Sequence, residues 1–201
     1  MAIDARKPAS NADVRRLKIL DAAARQFDEV GYHNTSMNAI AAASGIRKPT
    51  LYHYFTSKTE ILLGVHDVLI DHMLEMHQEV ADSSDLTPSQ KIYEIIRDIL
   101  SLQITHRGYV KAYVENTGEL TTEMRRDVNR RRRRYQDLLR QVLQSGIDGG
   151  QFRETNAELT AIAIFGMVNW GYQWYGRGDY LPLETVATHF HDLVMSGLSP
   201  R

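Results

Sequence analysis

The stretch from residue 34 to residue 58, NTSMNAIAAASGIRKPTLYHYFTSK, constrains the fold of this chain more than any other. Ser36 can accept hydrogen bonds from the first free amides of a helix, and apolar side chains then recur at helical spacing. Gly45 can adopt the left-handed backbone that a sharp turn between two helices requires. Pro49 is tolerated in the first turn of a helix, where its missing N–H is not needed. The stretch therefore predicts two short helices joined by a tight turn, the second spanning residues 48–54.

The second of these helices presents side chains that suit a DNA groove. Leu51 and Phe55 are expected to anchor its inner face in a core, so the other side chains point outward. The outward groups are cationic, hydroxyl-bearing and aromatic: Arg47, Lys48, Thr50, Tyr52 and His53, with Tyr54 near the edge. Such groups contact phosphates and the base edges of a major groove. A solvated surface patch is the alternative interpretation.

The order of residues in this region, GY-x(2)-TS-x(3)-IA-x(3)-GI-x(2)-PTLYHYF-x-SK, is similar to the N-terminal helix-turn-helix of TetR-family transcriptional repressors. The resemblance covers roughly residues 13–75. It implies that the outward side chains of the second helix lie against bases or the sugar-phosphate, and that Lys58, which opens the next helix, touches a phosphate. The predicted DNA-binding residues are Ser36, Arg47, Lys48, Pro49, Thr50, Tyr52, His53, Tyr54 and Lys58.

Charge is distributed unevenly along the chain. The 201 residues carry a net charge of −1, but residues 1–58 hold nine Lys and Arg against five Asp and Glu, a net +4, which leaves −5 for residues 59–201. The basic part contains the helix-turn-helix, as an electrostatic footprint on double-stranded DNA requires. The chain has no cysteine, which excludes disulfides, thiol catalysis and cysteine-based zinc fingers.

No segment of the sequence predicts export or membrane insertion. The first ten residues, MAIDARKPAS, lack the apolar core of a secretory signal. The longest strongly apolar run, residues 161–168, is far shorter than the roughly 20 residues of a membrane helix. We therefore expect a soluble, cytoplasmic protein with no membrane partner.

Hydrophobic periodicity predicts an all-α chain of about nine helices, because no alternating β pattern occurs. The expected parts are a disordered arm over residues 1–12, a three-helix helix-turn-helix domain over 13–58, a connecting helix over 59–81, and a helical ligand-binding and dimerisation domain over 82–201. Within the last part, Gly108 is expected to separate two helices, and a single helix is expected from Leu159 to Tyr175.

The expected helix from residue 159 to residue 175 is apolar nearly all round, so it must be covered on more than one side. The resemblance implies that an identical subunit covers it, with this helix and the last one forming a four-helix interface. A homodimer also fits DNA recognition, since one short helix contacts too few bases to be specific and two half-sites are needed.

Amphipathic aromatic residues in the C-terminal part suit a pocket for a largely apolar small molecule, although ordinary core is the alternative for each of them. The predicted ligand-binding residues are Tyr93, Ile96, Leu100, Tyr109, Tyr113, Asn116, Tyr135, Leu139, Phe165, Asn169, Trp170 and Gln173. The five consecutive arginines at 130–134 cannot share one helical face, so most are expected in solvent. Some could hold an anionic head such as the phosphates of coenzyme A.

One C-terminal segment favours an acyl-CoA effector. The sequence NWGYQWYGRGD resembles the N-W-x-x-R-W-Y-R-P-x-G stretch of TetR-like regulators of fatty-acid and steroid breakdown that respond to acyl-CoA. This chain departs from that pattern, because Gln173 stands in place of an arginine and Gly176 precedes Arg177 in place of an Arg-Pro pair. A sensor of hydrophobic drugs that controls efflux is the alternative within the same class.

Other classes of function have less support in the sequence. An enzyme with His and Asp or Glu as acid and base is one, but no nucleophile elbow, phosphate-cradling glycine loop or metal pair is visible. His66, His72 and His77 are six and five residues apart, so they do not form an i, i+4 ligand pair, and we predict no metal and no cofactor. A helix-turn-helix protein whose second domain docks a protein partner is the remaining alternative.

Overall fold

The computed structural model describes residues 10–176 and 181–200, and every regular element in them is helical. The described residues contain nine α-helices: α1 (Asn11–Glu29), α2 (Met37–Ala43), α3 (Lys48–Tyr54), α4 (Lys58–Asp82), α5 (Pro88–Thr105), α6 (Arg107–Glu115), α7 (Thr122–Asp148), α8 (Ala157–Asn169) and α9 (Leu183–Leu198). Two short 3-10 helices span Thr117–Glu119 and Trp170–Gln173. The predicted all-α class is confirmed. Residues 1–9, which hold most of the predicted arm, lie outside the described residues.

The described residues form two compact units. The first contains residues 10–72 and 106–130, and the second contains residues 73–105, 131–176 and 181–200. Helices α4 and α7 contribute residues to both units, whereas α6 belongs wholly to the first. The first unit therefore combines the helix-turn-helix with a helix from the range 82–201, which the sequence assigned to a ligand-binding domain.

Helix α1 begins at Asn11, two residues before the start that the sequence indicated. The reason is a capping box: the Asp13 amide donates to Ser10 Oγ at 3.2 Å, and the Ser10 amide donates to Asp13 Oδ2 at 3.2 Å. The buried face of α1 includes Ile19, Leu20 and Phe27. Residues 10–12 are thus the cap and first turn of α1.

The turn between α2 and α3 has the geometry of a Schellman motif. The Ile46 amide donates to the Ala41 carbonyl at 3.0 Å, and the Gly45 amide donates to the Ala42 carbonyl at 3.0 Å. Gly45 has a φ of +67°, which lies in the left-handed region that favours glycine. This motif satisfies the last carbonyls of α2 and redirects the chain into α3, as the sequence predicts.

Gly108 does not separate two helices, and that prediction is wrong. The break between α5 and α6 falls at His106, and Gly108 is the second residue of α6. A Cβ atom at this position would lie 2.3 Å from the carbonyl oxygen of Ala24 in α1. Glycine is therefore required for the close packing of α6 on α1. Two ion pairs flank this contact, from Asp28 to Arg107 at 3.4 Å and to Lys111 at 3.3 Å.

Helix α8 ends at Asn169, so the single helix predicted from Leu159 to Tyr175 is also wrong. The buried side chain of Gln103 in α5 donates from Nε2 to the Val168 carbonyl at 2.8 Å. Its Oε1 lies 2.3 Å from the position that a Cβ atom of Gly171 would occupy, so only glycine fits there with Gln103 in this position. The amide of Gln103 therefore competes for a helical carbonyl, and the chain continues as a 3-10 turn.

The second unit is organised around α5. Thr87 and Gln90 form a reciprocal cap, in which the Gln90 amide donates to Thr87 Oγ1 at 3.3 Å and the Thr87 amide donates to Gln90 Oε1 at 2.8 Å. Pro88 occupies the first helical position, as predicted. The buried face of α5 carries the apolar stripe expected from the sequence, Ile92, Ile95, Ile96, Ile99, Leu100 and Leu102, and packs against α8 and α9.

The contact between α1 and α6 predicts the effect of Gly108→Ala. The new methyl group would meet the Ala24 backbone, which cannot move as a side chain can, so we expect a loss of about 1–3 kcal/mol in the free energy of unfolding. Denaturant unfolding followed by circular dichroism measures this change. Gly118→Ala is the control, because no atom beyond its chain neighbours lies within 4 Å of its Cβ position and its φ is not positive. Equal stability of the two variants would contradict the proposed close contact.

Candidate nucleic-acid interface

Helix α3 has one buried side and one exposed side. Leu51 and Phe55 have no exposed surface, and both belong to the core of the first unit. On the other side, Arg47, Lys48, Pro49 and His53 are exposed, Tyr52 is 43% exposed, and Thr50 and Tyr54 are half-buried. The predicted DNA-binding side chains of this helix therefore share one accessible surface, to which a phosphate or a base edge could gain access.

The exposed surface of α3 is partly ordered by contacts among its own side chains. The Lys48 ammonium lies 5.9 Å from the centre of the Tyr52 ring, a cation–π arrangement. The rings of His53 and Tyr54 meet edge to face with centroids 5.7 Å apart. On the buried side, the Arg16 guanidinium lies 4.8 Å from the centre of the Phe55 ring. Cationic and aromatic groups are thus held outward without a carboxylate partner in α3.

Ser36 performs the capping role that the sequence predicts. Its Oγ accepts a hydrogen bond from the Ala39 amide at 3.1 Å, and the side chain is exposed. A hydroxyl group that accepts one hydrogen bond still has a proton to donate. Ser36 can therefore cap α2 and donate to an external acceptor at the same time.

Lys58 occupies a position that the sequence did not anticipate. Its Nζ donates to the carbonyl oxygens of Tyr32 at 2.7 Å, Thr35 at 2.8 Å and His33 at 3.3 Å, and it lies 4.3 Å from the centre of the Tyr32 ring. An ammonium has three protons to donate, and these three carbonyls accept them all. Burial lowers the pKa of the Lys58 ammonium, and the carboxylate of Glu119 opposes this shift. Lys58 thus fixes the loop between α1 and α2 and, as placed, has no proton left for a phosphate.

Tyr32 and Thr35 complete this loop, and sequence reasoning did not identify them. Thr35 Oγ1 donates to the Gly31 carbonyl at 2.8 Å, and the Tyr32 hydroxyl lies 3.3 Å from Thr59 Oγ1. Both side chains are buried, Tyr32 at 6% and Thr35 at 2% exposure. The aromatic and hydroxyl residues of the segment GYHNTS were the available signal, but Thr59, the partner of Tyr32, lies in the next long helix and not in this segment.

The predicted ligand-binding residues fall into both units. Tyr93, Ile96, Leu100, Tyr135, Leu139, Phe165, Asn169, Trp170 and Gln173 lie in the second unit, whereas Tyr109, Tyr113 and Asn116 lie in the first, on α6 or at its end. The Tyr109 hydroxyl donates to Asp21 Oδ1 at 2.6 Å, and burial together with this hydrogen bond raises the pKa of Tyr109. Tyr109 therefore fastens α6 to α1.

An aromatic and polar cluster lies inside the second unit. The ring of Tyr135 lies 5.0 Å from that of Phe165 and stacks on His77 with centroids 5.3 Å apart. His77 Nε2 lies 3.7 Å from Asp98 Oδ2. Burial raises the pKa of Asp98 to about 6, with a further increase from Glu94 and a decrease from Arg97. His77 and Asp98 place polar atoms beside two predicted ligand residues, and no spacing in the sequence connects these four positions.

The remaining predicted ligand residues differ widely in exposure. Ile96 and Leu100 are fully buried, Leu139 is buried, and Tyr93, Asn169 and Gln173 are half-buried. Trp170 is 63% exposed, so within this chain it does not lie in an enclosed cavity. Tyr93 contacts His191 edge to face with centroids 5.6 Å apart, and Gln173 Nε2 donates to the Tyr172 hydroxyl at 2.5 Å. Arg177, from the segment that favours acyl-CoA, lies outside the described residues.

The arginine run lies within α7. Arg130, Arg133 and Arg134 are exposed, and Arg131 and Arg132 are half-buried. Arg130 forms an ion pair with Asp127. In the part of the chain that the structure describes, no three His, Asp or Glu side chains are grouped so that they could hold a metal ion.

Two family models of known proteins match the N-terminal and the C-terminal parts of the chain. The family model described as "Bacterial regulatory proteins, tetR family" matches residues 19–65, and the model "Tetracyclin repressor-like, C-terminal domain" matches residues 85–198. The transcriptional repressor KstR2 of Rhodococcus jostii is 31% identical over 92% of this chain and 91% of its own length. The chain belongs to the TetR family.

Solved structures, among them one of a TetR-family regulator, have the same fold. PfmR from Thermus thermophilus is 28% identical with a TM-score of 0.83, and the match covers 90% of this chain and 99% of that one. AibR, solved with isovaleryl coenzyme A and operator DNA, is 27% identical with a TM-score of 0.80, and the match covers 89% and 97% of the two chains. The predicted resemblance is confirmed. The family is one of transcriptional regulators and not a class of enzymes.

Across residues 10–176 and 181–200, every helix is too short or too polar to cross a membrane.

The position of Lys58 predicts different effects for two lysine substitutions. Lys58→Met removes three hydrogen bonds to the loop between α1 and α2, and we expect it to lower the free energy of unfolding by about 1.5–3 kcal/mol. Lys48→Met, at an exposed position, should change stability by no more than about 0.5 kcal/mol. Urea titration of both variants tests this difference. If Lys58→Met is as stable as the wild type, the loop does not depend on the ammonium.

Proposed function

We propose that this protein is a ligand-responsive transcriptional repressor, which binds a palindromic operator as a homodimer and is released by a largely apolar small molecule. The observation that carries the proposal is the exposed surface of α3, where cations, hydroxyls and aromatic rings project from a helix anchored by two fully buried side chains. Membership of a family of transcriptional regulators supports it. The protein would act in the compartment that holds its DNA, the cytoplasm.

Homodimerisation is supported by apolar residues that this chain leaves uncovered. Leu159 is 64% exposed, Ile162 is 50% exposed, and Leu193 is 54% exposed, and all three lie on α8 or α9. An apolar groove of about 440 Å³ is lined by residues of both helices, including Ile164 and Val194. Large apolar side chains exposed together mark an association surface. A second copy that covers this surface would present a second α3 to a neighbouring half-site.

Small-molecule binding is supported by the second unit and by one relative. The Tyr135, Phe165 and His77 rings form an aromatic group with polar atoms beside it, as a site for a mainly apolar ligand with a polar head requires. AibR, a relative of similar fold, was solved with isovaleryl coenzyme A. We therefore propose an acyl-CoA or another lipid-catabolism intermediate as the effector. A sensor of hydrophobic drugs remains the alternative.

Release of DNA by the effector follows from population shift. A ligand favours whichever arrangement of the two DNA-binding units it binds more tightly, and it changes operator affinity by that difference in affinity and no more. A ligand with tenfold preference for the released arrangement would stabilise it by about 1.4 kcal/mol. The effector is therefore expected to bind the free protein more tightly than the operator-bound protein. By linkage, the factor by which the effector weakens operator binding equals the factor by which the operator weakens effector binding.

Operator selection tests the DNA-binding part of the proposal. We expect the wild-type protein to select palindromic duplexes from a random pool, because two copies of α3 contact two half-sites. Tyr52→Ala and Lys48→Ala should each weaken binding to the selected duplex by more than about tenfold, since each substitution removes two interactions per dimer, of about 1–3 kcal/mol each. Gel-shift titration measures the weakening.

Two controls belong to this experiment. Val30→Ala alters an exposed residue of the same unit, at the C-terminal end of α1, and should bind as the wild type does. Tyr52→Phe removes the hydroxyl and keeps the ring, so a comparison with Tyr52→Ala shows how much each contributes to binding. Unchanged affinity of both alanine variants, or selected duplexes without two-fold symmetry, would contradict the proposal.

Thermal-shift titration tests the effector. Long- and short-chain acyl-CoAs, free fatty acids, steroids and cationic drugs are compared, because a ligand that binds only the folded state raises Tm. At a hundred times its Kd, an acyl-CoA should stabilise the protein by about 2.7 kcal/mol. The operator duplex should be released at the same ligand concentration. A response to cationic drugs alone would favour the efflux sensor, and no response in any class would contradict a small-molecule effector of these kinds.

A further inference from the structure

We propose that the DNA interface extends from α3 onto the first turns of α1, where Arg15 and Lys18 hold the sugar-phosphate backbone of the same duplex. This inference rests on the proposed function and names a second surface for the same partner. The surface is a groove of about 470 Å³ in the first unit. It is lined by Asn11, Ala12, Val14, Arg15 and Lys18 of α1 and by Tyr54, the last residue of α3.

The groove is cationic. Arg15 and Lys18 are exposed, and within residues 10–176 and 181–200 neither has a carboxylate at ion-pair distance. The acidic residues nearest along α1 are engaged elsewhere. Asp13 accepts hydrogen bonds from the Ser10 amide and hydroxyl, the latter at 2.8 Å, and Asp21 accepts one from the Tyr109 hydroxyl. The two positive charges are therefore available to an anionic partner.

The spacing of the polar groups suits a phosphate strand. Asn11, Arg15 and Lys18 follow one another at four and three residues, so they lie on one face of α1. That face extends over about 10 Å of helix axis, and phosphates of one strand recur at about 3.4 Å of duplex axis, so contact with two or three phosphates is possible. Arg16 has a different role, because its guanidinium packs over the Phe55 ring.

Continuity with α3 identifies the occupant as duplex DNA. Tyr54 lines the groove from the C-terminal end of α3, whose outward side chains carry the proposed base contacts. A duplex placed against those side chains has a charged backbone on each side of the contacted groove. Hydrogen bonds to phosphate fix the orientation of a protein on DNA without carrying sequence information. Arg15 and Lys18 therefore add affinity equally for all sequences.

The test is the salt dependence of binding to a mixed-sequence duplex, together with the affinity for a duplex selected from a random pool. Fluorescence anisotropy at a series of NaCl concentrations gives the slope of log K against log salt. For the double variant R15Q/K18Q we expect the magnitude of this slope to fall by about 0.9 for each phosphate that the variant no longer neutralises, and affinity to fall several-fold at low salt. Base discrimination, measured as the ratio of operator to mixed-sequence affinity, should stay unchanged.

Three controls make the outcome decisive. Glutamine has a helix propensity close to that of arginine and lysine, so folding should be preserved, and circular dichroism melting checks it. R25Q removes an exposed charge from the other end of α1 and should leave the slope almost unchanged. R15K keeps the charge and should retain most of the wild-type slope.

The possible failures can be told apart. If the wild type binds the duplex and R15Q/K18Q has the same slope as R25Q, the α1 surface is not part of the interface and this inference is overturned. If the wild type binds neither mixed-sequence nor selected duplexes at low salt, the proposed function itself fails. An equal reduction of the slope in R25Q and R15Q/K18Q would indicate a diffuse charge effect and would also contradict a defined groove.

Discussion

The orientation of α3 depends on the burial of Leu51 and Phe55. Both side chains have no exposed surface, and burying each contributes about 1.5–3 kcal/mol relative to an exposed position. The helix is only seven residues long, which is too short to be stable by its own hydrogen bonds. Packing of these two residues therefore both forms α3 and determines which side chains face outward. Every proposed DNA contact on this helix follows from that anchoring.

A second constraint fixes the segments on either side of the helix-turn-helix. The Lys58 ammonium joins the first residue of α4 to three carbonyls of the loop between α1 and α2. The same loop supplies Ser36, the cap of α2. These hydrogen bonds connect the loop before α2 with the first residue of the helix after α3. The position of α3 therefore depends on them as well as on its own core contacts. A cation that looks suited to a phosphate in the sequence thus stabilises the loop that supports the interface.

Local patterns were sufficient to predict the helix-turn-helix, because its determinants lie close together in sequence. Gly45, Pro49 and Ser36 each act within a few residues, and the bounds of α3 agree with the predicted 48–54. Predictions failed where a distant residue decides the local structure. Gly108 serves contact with Ala24, and Gln103 ends a helix that hydrophobicity alone would continue past Asn169. A single sequence gives no sign of such partners, and the ligand-binding residues stay predictions for the same reason.

The attachment of α6 to α1 bears on how the signal of the proposed effector could reach DNA. Tyr109 bonds to Asp21, Asp28 pairs with Arg107 and Lys111, and Gly108 permits backbone contact with Ala24. Polar and close-packed contacts along one helix pair leave few ways for α6 to move without α1, since packed surfaces do not deform continuously. A displacement of α6 would therefore be expected to move α1, which also packs on α2. If the proposed effector contacts α6, its effect would reach α3 through α1 and α2, which pack on one another in turn.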